Sequence, residues 1–295
     1  MPKITSCLWF DGNAEEAVAF YTSLFPRSNV GSKTQYGEAS AKESGQPKGA
    51  VMTIDFQLAG QDFVALNGGP LFKFTPAISF SFSCATRGEI DELYAKLSAG
   101  GKVLMALDKY PFSERYCWID DRFGVSWQLN LAPAEQKITP SLLFVGRQHG
   151  RAVEAMTFYT SIFRNSGILM RVPYEKGEDT KEGTIKYGRF SLGGREFVAM
   201  DSGLDHKFAF TPAVSFMVLC ETQQEIDAFW KELSDGGKEL ECGWLEDRFG
   251  VSWQIVPSMI VKWLHDRQRT EAVMKAVLTM KKLDIAVLER AYKGA

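Results

Sequence analysis

The chain has 295 residues, 45% of them hydrophobic and 24% charged, with a formal charge of −2. That is the mix of a soluble globular protein, long enough for two ordinary domains. Near-neutrality excludes the electrostatic footprint of a partner for nucleic acid or an anionic membrane, and no apolar run approaches the ~18 residues of a membrane span.

The opening MPKITSCLWFDG is charged too early for a signal peptide. Its Ile4 to Phe10 reads as a first strand. Asn13 with Glu16 predicts a capping box for a helix whose apolar face is Ala17, Phe20, Tyr21, Leu24 and Phe25. The stretches NVGSKTQY, AVMTIDFQL and QDFVAL read as three strands, with a polar, mobile loop from Gly37 to Gly49 among them. AISFSFSC alternates as a half-solvated strand does. Thr86-x-x-Glu89 then caps a helix burying Ile90, Leu93, Tyr94 and Leu97, which Gly100-Gly101 ends. VSWQLNL closes the first half as a strand.

The same order returns. ITSCLWF at Ile4 matches ITPSLLF at Ile138, FYTSLF at Phe20 matches FYTSIF at Phe158, and FTPA recurs at Phe74 and Phe210. DRFGVSWQ occurs twice, from Asp121 and from Asp247. Self-similarity on this scale is the signature of a repeated structural unit. The halves are colinear except that Glu89 to Asp121 carries ten more residues than Glu225 to Asp247. The extra segment, with Tyr-Pro-Phe-Ser at its centre, reads as a hairpin. Four βαβββ units result, in two domains at 1–132 and 133–257, with a helical tail at 258–295. In that tail Val273, Ala276, Val277 and Met280 share one face, and Asp284 is placed to cap a last helix holding Ile285 and Leu288 inside.

Paired βαβββ modules, the FYTSLF helix and the D-x-x-G turn before a final strand resemble the vicinal oxygen chelate superfamily. NGGP…FTPAISF and CGWLEDRFGVSWQIVP resemble its PhnB-like group, many of whose members carry a 3-demethylubiquinone 3-methyltransferase label. The resemblance covers both halves and extends to MKKLDIAVLERAY in the tail. It implies an α+β fold of tandem glyoxalase-like domains, each two βαβββ modules forming a cupped mixed sheet around a small-molecule cavity, plus C-terminal helices. Metal-dependent members hold a divalent ion through inward-facing His, Glu or Gln, where it acts as a Lewis acid. The bleomycin-resistance type sequesters a ligand without metal.

Carried over position by position, the first-strand ligand falls on Ser6 and Pro140, and the fifth-strand ligand near Ser79 or Ser81 and near Ser215. The last-strand position, where Glu is usual, is Gln128 and Gln254. Hydroxyls and amides do not replace imidazole and carboxylate for tight transition-metal binding, so neither a catalytic metal nor a cofactor is expected. His149, His206 and His265 are scattered, and no nucleophilic triad assembles from them. No G-x-G-x-x-G or P-loop accompanies the methyltransferase label.

The candidate ligand-binding residues are polar or aromatic groups expected on inner strand faces. They are Ser6, Asn67, Ser79, Trp118 and Gln128 in the first half, and Asp201, Ser215, Trp244 and Gln254 in the second. Each tryptophan stands three residues before the repeated aspartate. A buried amide without partners costs on the order of 1–3 kcal/mol, so Gln128 and Gln254 need backbone, water or ligand. Asp121 and Asp247 read as turn residues beside a positive-φ glycine. Cys7, Cys84, Cys117, Cys220 and Cys242 lack CxxC spacing and read as small buried hydrophobes of a reduced, cytoplasmic protein.

The expected function is binding of a small molecule. The alternative is an enzyme of the isomerase, lyase or dioxygenase kind with unconventional ligands. The expected partners are a small-molecule ligand and no nucleic acid or membrane. The two domains pair within the chain, and the tail offers a homodimer contact.

Overall fold

The computed structural model describes residues 2–132, 137–178, 180–266 and 268–294. The first module holds β1 (Lys3–Phe10), α1 (Ala14–Leu24), β2 (Asn29–Gln35), α2 (Glu38–Ser44), β3 (Val51–Leu58) and β4 (Gln61–Asn67). The second holds β5 (Ile78–Cys84), α3 (Arg87–Ser98), β6 (Lys102–Tyr110), β7 (Ser113–Asp120) and β8 (Ser126–Leu131). The repeat supplies β9 (Ile138–Phe144), α4 (Ala152–Ile162), β10 (Gly167–Pro173), β11 (Ile185–Leu192) and β12 (Arg195–Asp201). It continues with β13 (Val214–Cys220), α5 (Gln223–Ser234), β14 (Lys238–Glu239), β15 (Trp244–Glu246) and β16 (Ser252–Pro257). The tail forms α6 (Met259–His265), α7 (Thr270–Val277) and α8 (Ile285–Lys293).

The strands make two eight-stranded mixed sheets, ordered β14-β15-β16-β13-β1-β4-β3-β2 and β10-β11-β12-β9-β5-β8-β7-β6. The modules therefore pair across the repeat. β1 runs antiparallel to β13, with Ser6 opposite Phe216, and β5 antiparallel to β9, with Phe80 opposite Pro140. The halves at 1–132 and 133–257 are units of sequence, whereas each sheet is built from one module of each half.

Strand alternation separates two faces. In β3, Met52, Ile54, Phe56 and Leu58 are buried while their neighbours are half-buried. The outer face packs against α1, α3, α4 and α5, with Trp127, Trp253, Tyr21 and Tyr159 almost fully enclosed. Thr86 and Thr222 accept the N–H of Glu89 and Glu225, and those glutamates accept the N–H of Ala85 and Glu221 in return. At the close of α3 and α5, Gly101 and Gly237 run against backbone, where a Cβ would lie 2.2 Å from Asp120 O and 2.0 Å from Glu246 O.

Two expectations are corrected. Asn13 makes no side-chain cap; the first free N–H of α1, at Ala14, instead donates to Asn67 Oδ1 at 2.9 Å. The expected loop from Gly37 to Gly49 contains α2, whose N–H groups at Glu38 and Ala39 donate to the Glu271 carboxylate of α7. A short polar helix is marginal alone; here a carboxylate from the tail satisfies its N-terminus.

The repeated D-x-x-G turns lock the halves of the molecule to their helices. Asp121 accepts from the N–H of Phe123 and Val125, from Trp127 Nε1 at 2.8 Å and from the Tyr21 hydroxyl at 2.7 Å. Asp247 does the same with Phe249, Val251, Trp253 and Tyr159. Burial pushes both carboxyls up to about 6, opposed by these four hydrogen bonds. The turn thus anchors the start of β8 and β16, the strands that carry Gln128 and Gln254.

Candidate functional site

Facing away from the outer helices, each sheet has an inner face with the same floor. In the second sheet Gln128 Nε2 donates to Ser79 Oγ at 2.8 Å, and in the first Gln254 Nε2 donates to Ser215 Oγ at 2.9 Å. Trp118 lies opposite Gln128 in the β7–β8 register, and Trp244 opposite Gln254 in β15–β16. The two tryptophans are therefore equivalent despite the different lengths of the segments before them. Six of the nine candidates, Ser79, Trp118, Gln128, Ser215, Trp244 and Gln254, assemble in this way into two sets of three.

The other three lie on the helix side. Ser6 accepts from Arg195 at 2.8 Å, and the same guanidinium donates to Ile4 O. Asn67 holds the start of α1 through Ala14 N, Glu15 and Val51 O. Asp201 does so for α4, accepting from Gly150, Ala152 and Ile185 N–H groups. Their hydrogen-bonding capacity is committed to structure.

The inner faces diverge beyond the floor. In the second sheet Ser81 pairs with Gln128 and Ser83 with Asn130; in the first sheet Met217 pairs with Gln254 and Leu219 with Val256. Met217, Leu219, Val256 and Cys242 pack with Ile260, Val273, Val277, Leu283 and Leu288 of the tail. The tail crosses this face from edge to edge. Gln223 and the backbone of Cys242 and Gly243 bond to Leu283, Met280 and Lys281 near β14–β15. At the far edge His265 lies 3.1 Å from Ser32 and 3.5 Å from Asp55, and Glu271 holds α2.

The sheet residues of the tail's apolar cluster come from the first sheet. The second sheet instead carries the longer β6–β7 hairpin. Tyr110, Phe112 and Tyr116 form an aromatic group there, with centroids 5.0–5.7 Å apart. A hollow of about 610 Å³ opens at the hairpin tip against Tyr110, Pro111 and Phe112. Tyr116 donates from its hydroxyl to Gln128 Oε1 at 2.8 Å, and burial raises its own pKa far above the usual phenol range. Trp118 Nε1 donates to Ser126 Oγ at 2.8 Å, and Ser81 and Ser141 hydroxyls meet at 3.0 Å. Sequence reasoning missed Tyr116 and Ser141, and placed Ser81 only as an alternative to Ser79 at the fifth-strand position. Their signal was strand parity: Tyr116 shares a face with Trp118, and Ser81 with Ser79.

A model of the family described as 3-demethylubiquinone-9 3-methyltransferase matches residues 2–130 and 136–256. The chain belongs to this family. No curated protein matches it. A solved PhnB protein from Bacillus cereus is 44% identical, covering 44% of this chain and 99% of its own, with a TM-score of 0.41. Glyoxalase I from Zea mays is 12% identical over 90% of this chain and 96% of its own, with a TM-score of 0.57. A Bacillus subtilis protein with a dioxygenase designation is 10% identical over 84% of this chain and 82% of its own, with a TM-score of 0.50. The likenesses to glyoxalase I and to the Bacillus subtilis protein show the glyoxalase fold.

The metal that this fold holds in some members does not fit the donors present. The inner faces offer mainly amides and serines, with isolated carboxylates such as Asp120 and the Cys7 thiol, which burial pushes up to about 11 and so keeps protonated. Among the described residues no three His, Cys, Asp or Glu side chains converge as a metal would need. The methyl transfer in the family's description has no doubly wound parallel sheet with a glycine-rich first turn to serve it, since both sheets are mixed. No described helix is long and apolar enough to cross a membrane.

Proposed function

We propose that this PhnB-like protein binds a small, largely apolar and aromatic molecule on the inner face of its second sheet. The observation that carries the reading is the tail. It covers the first sheet's inner face with an apolar cluster, while the equivalent face of the second sheet keeps serines, an amide and an aromatic wall. Such a mixture of apolar walls with a few convergent polar groups is the composition of a ligand pocket. The first sheet then acts as a structural partner whose own cup is filled by the chain itself.

The test is a ligand panel read by tryptophan fluorescence, with Trp118→Phe identifying the reporting side chain. Gln128→Ala should weaken binding at least severalfold, and Gln254→Ala should leave it unchanged. Equal losses at the two positions would overturn the assignment to one sheet.

One observation favours a second, catalytic reading. Asp120 shares the inner face with Trp118 and Ser126, and its Oδ1 is buried without a hydrogen-bond partner among the described residues. Burial raises this carboxyl above its ordinary range, opposed by the Ser126 hydroxyl and Lys102. A desolvated carboxylate there is suited to act as a general base. Asp120→Asn should then abolish turnover of a bound substrate while preserving its affinity.

A further inference from the structure

The floor of the second sheet has a direction. In the structure Tyr116 donates its hydroxyl proton to Gln128 Oε1. Gln128 Nε2 carries two N–H bonds and makes one hydrogen bond, to Ser79 Oγ. Among the described residues its second N–H is uncommitted. The amide is buried, at 6% exposure, so an unmet donor there is costly in the empty state and is relieved by an acceptor. Trp118, opposite Gln128 in the register, and Tyr116 supply flat apolar walls. Among the described residues no formally charged side chain hydrogen-bonds to the Tyr116–Gln128–Ser79 chain.

We infer that this chain of hydrogen bonds selects an uncharged planar aromatic ligand bearing a carbonyl-type acceptor, received by the free N–H of Gln128. The inference rests on the second sheet being the binding face. Tyr116 acts as a positioning residue, because its hydroxyl occupies Oε1 and Ser79 takes one hydrogen of Nε2, leaving the other for a ligand. The first sheet lacks the device. There the position equivalent to Tyr116, two residues before the tryptophan, is Cys242, and the Gln254 amide shares its partners with the buried Cys7 thiol.

Three tricyclic probes of one shape separate the possibilities: fluorene has no polar group, fluorenone adds an acceptor, and carbazole adds a donor. Fluorenone should bind about tenfold tighter than either of the others, the worth of one well-made buried hydrogen bond. Its carbonyl stretch should move to lower frequency when bound. Gln128→Leu should erase the preference while fluorene binding remains, Tyr116→Phe should reduce it severalfold, and Gln254→Leu should leave it intact. Equal binding of fluorene and fluorenone, or a preference for carbazole, overturns the inference and leaves the binding face standing. Failure of all three probes to bind overturns the binding face and the inference together.

Discussion

The two sheets share a frame and differ in what fills it. Both have the Gln–Ser floor, the tryptophan opposite the glutamine and the buried aspartate turn behind it. Three of the substitutions that separate the inner faces lie on paired strands: Ser81 against Met217, Ser83 against Leu219, and Asn130 against Val256. Each exchanges a polar group for an apolar one, and the apolar set lies under the tail. The lesson is that the outer faces, which meet helices, tolerate little asymmetry in packed cores. The inner faces are where the repeat diverged, into one covered by the tail and one that carries the longer hairpin instead.

The comparison predicts equal behaviour at the shared frame and unequal behaviour above it. Asp121→Ala and Asp247→Ala should each cost about 3–5 kcal/mol, read by chemical denaturation, because each leaves a tyrosine hydroxyl, an indole N–H and two backbone N–H groups buried without acceptors. A much smaller loss in one half would break the equivalence of the two turns. The same residues give a pH signature. Each carboxyl is held at about 6 in the folded protein against 3.8 when free. The folded state therefore binds more protons between those values, and stability falls as pH rises from about 4 to about 6. The change is on the order of 3 kcal/mol per group. Asp62 and Glu196, whose carboxyls lie below their ordinary range because of Lys3 and Gln57, and of Lys137 and Arg189, slope the opposite way, and their window lies lower. Asp121→Asn should remove about half of the slope in the upper window, and the double variant most of it.

Leu288→Ala should cost about 2–4 kcal/mol by opening a cavity in the tail cluster, where Leu288 is fully buried. It should leave probe binding at Gln128 unaltered. A loss of binding would show that the tail supports both cups.

Why these differences were only partly legible in the sequence follows from particular residues. The repeat, the hairpin and the tail's apolar stripe were readable because each is a local pattern. The crossed pairing of modules was not. ITSCLWF and ITPSLLF carry nearly the same pattern, so β5 and β13 find equivalent partners in either strand. Ser6 was assigned inward because β1 is buried on both faces for most of its length, which hides its parity. Asn67 and Asp201 belong to helix starts far away in sequence, at Ala14 and Ala152, and no local rule reveals such a distant cap. Helix α2 was lost for the same reason, since its cap is Glu271.

Closing the second cup with the first cup's residues sharpens the comparison further. Ser81→Met with Ser83→Leu should weaken fluorenone binding by more than tenfold while costing no more than about 1 kcal/mol of stability, the price of the lost bond between Ser81 and Ser141. Retained affinity would mean that the ligand sits elsewhere, with the hollow beside Trp9, Phe72, Asp120 and Arg122, of about 580 Å³, as the next place to probe.

The smallest effect tests the frame at its most local. Thr86 and Thr222 each accept one N–H at 3.2 Å, from Glu89 and Glu225, and their backbone angles agree to within a degree. Thr86→Ala and Thr222→Ala should each cost about 1 kcal/mol, the worth of an N-terminal cap. The two costs should match within a few tenths of that unit, because the cap bond has the same length and backbone geometry in both helices. A clear excess at Thr222 would have one physical source. Helix α5 is also tied to the tail, through Gln223 to Leu283 O and Ile285 N, so fraying its first turn would loosen the cover of the first cup as well. Measuring Thr222→Ala with and without Leu288→Ala separates the cap from that tie: additive losses place the whole cost in the helix, and a coupling between them places part of it in the tail.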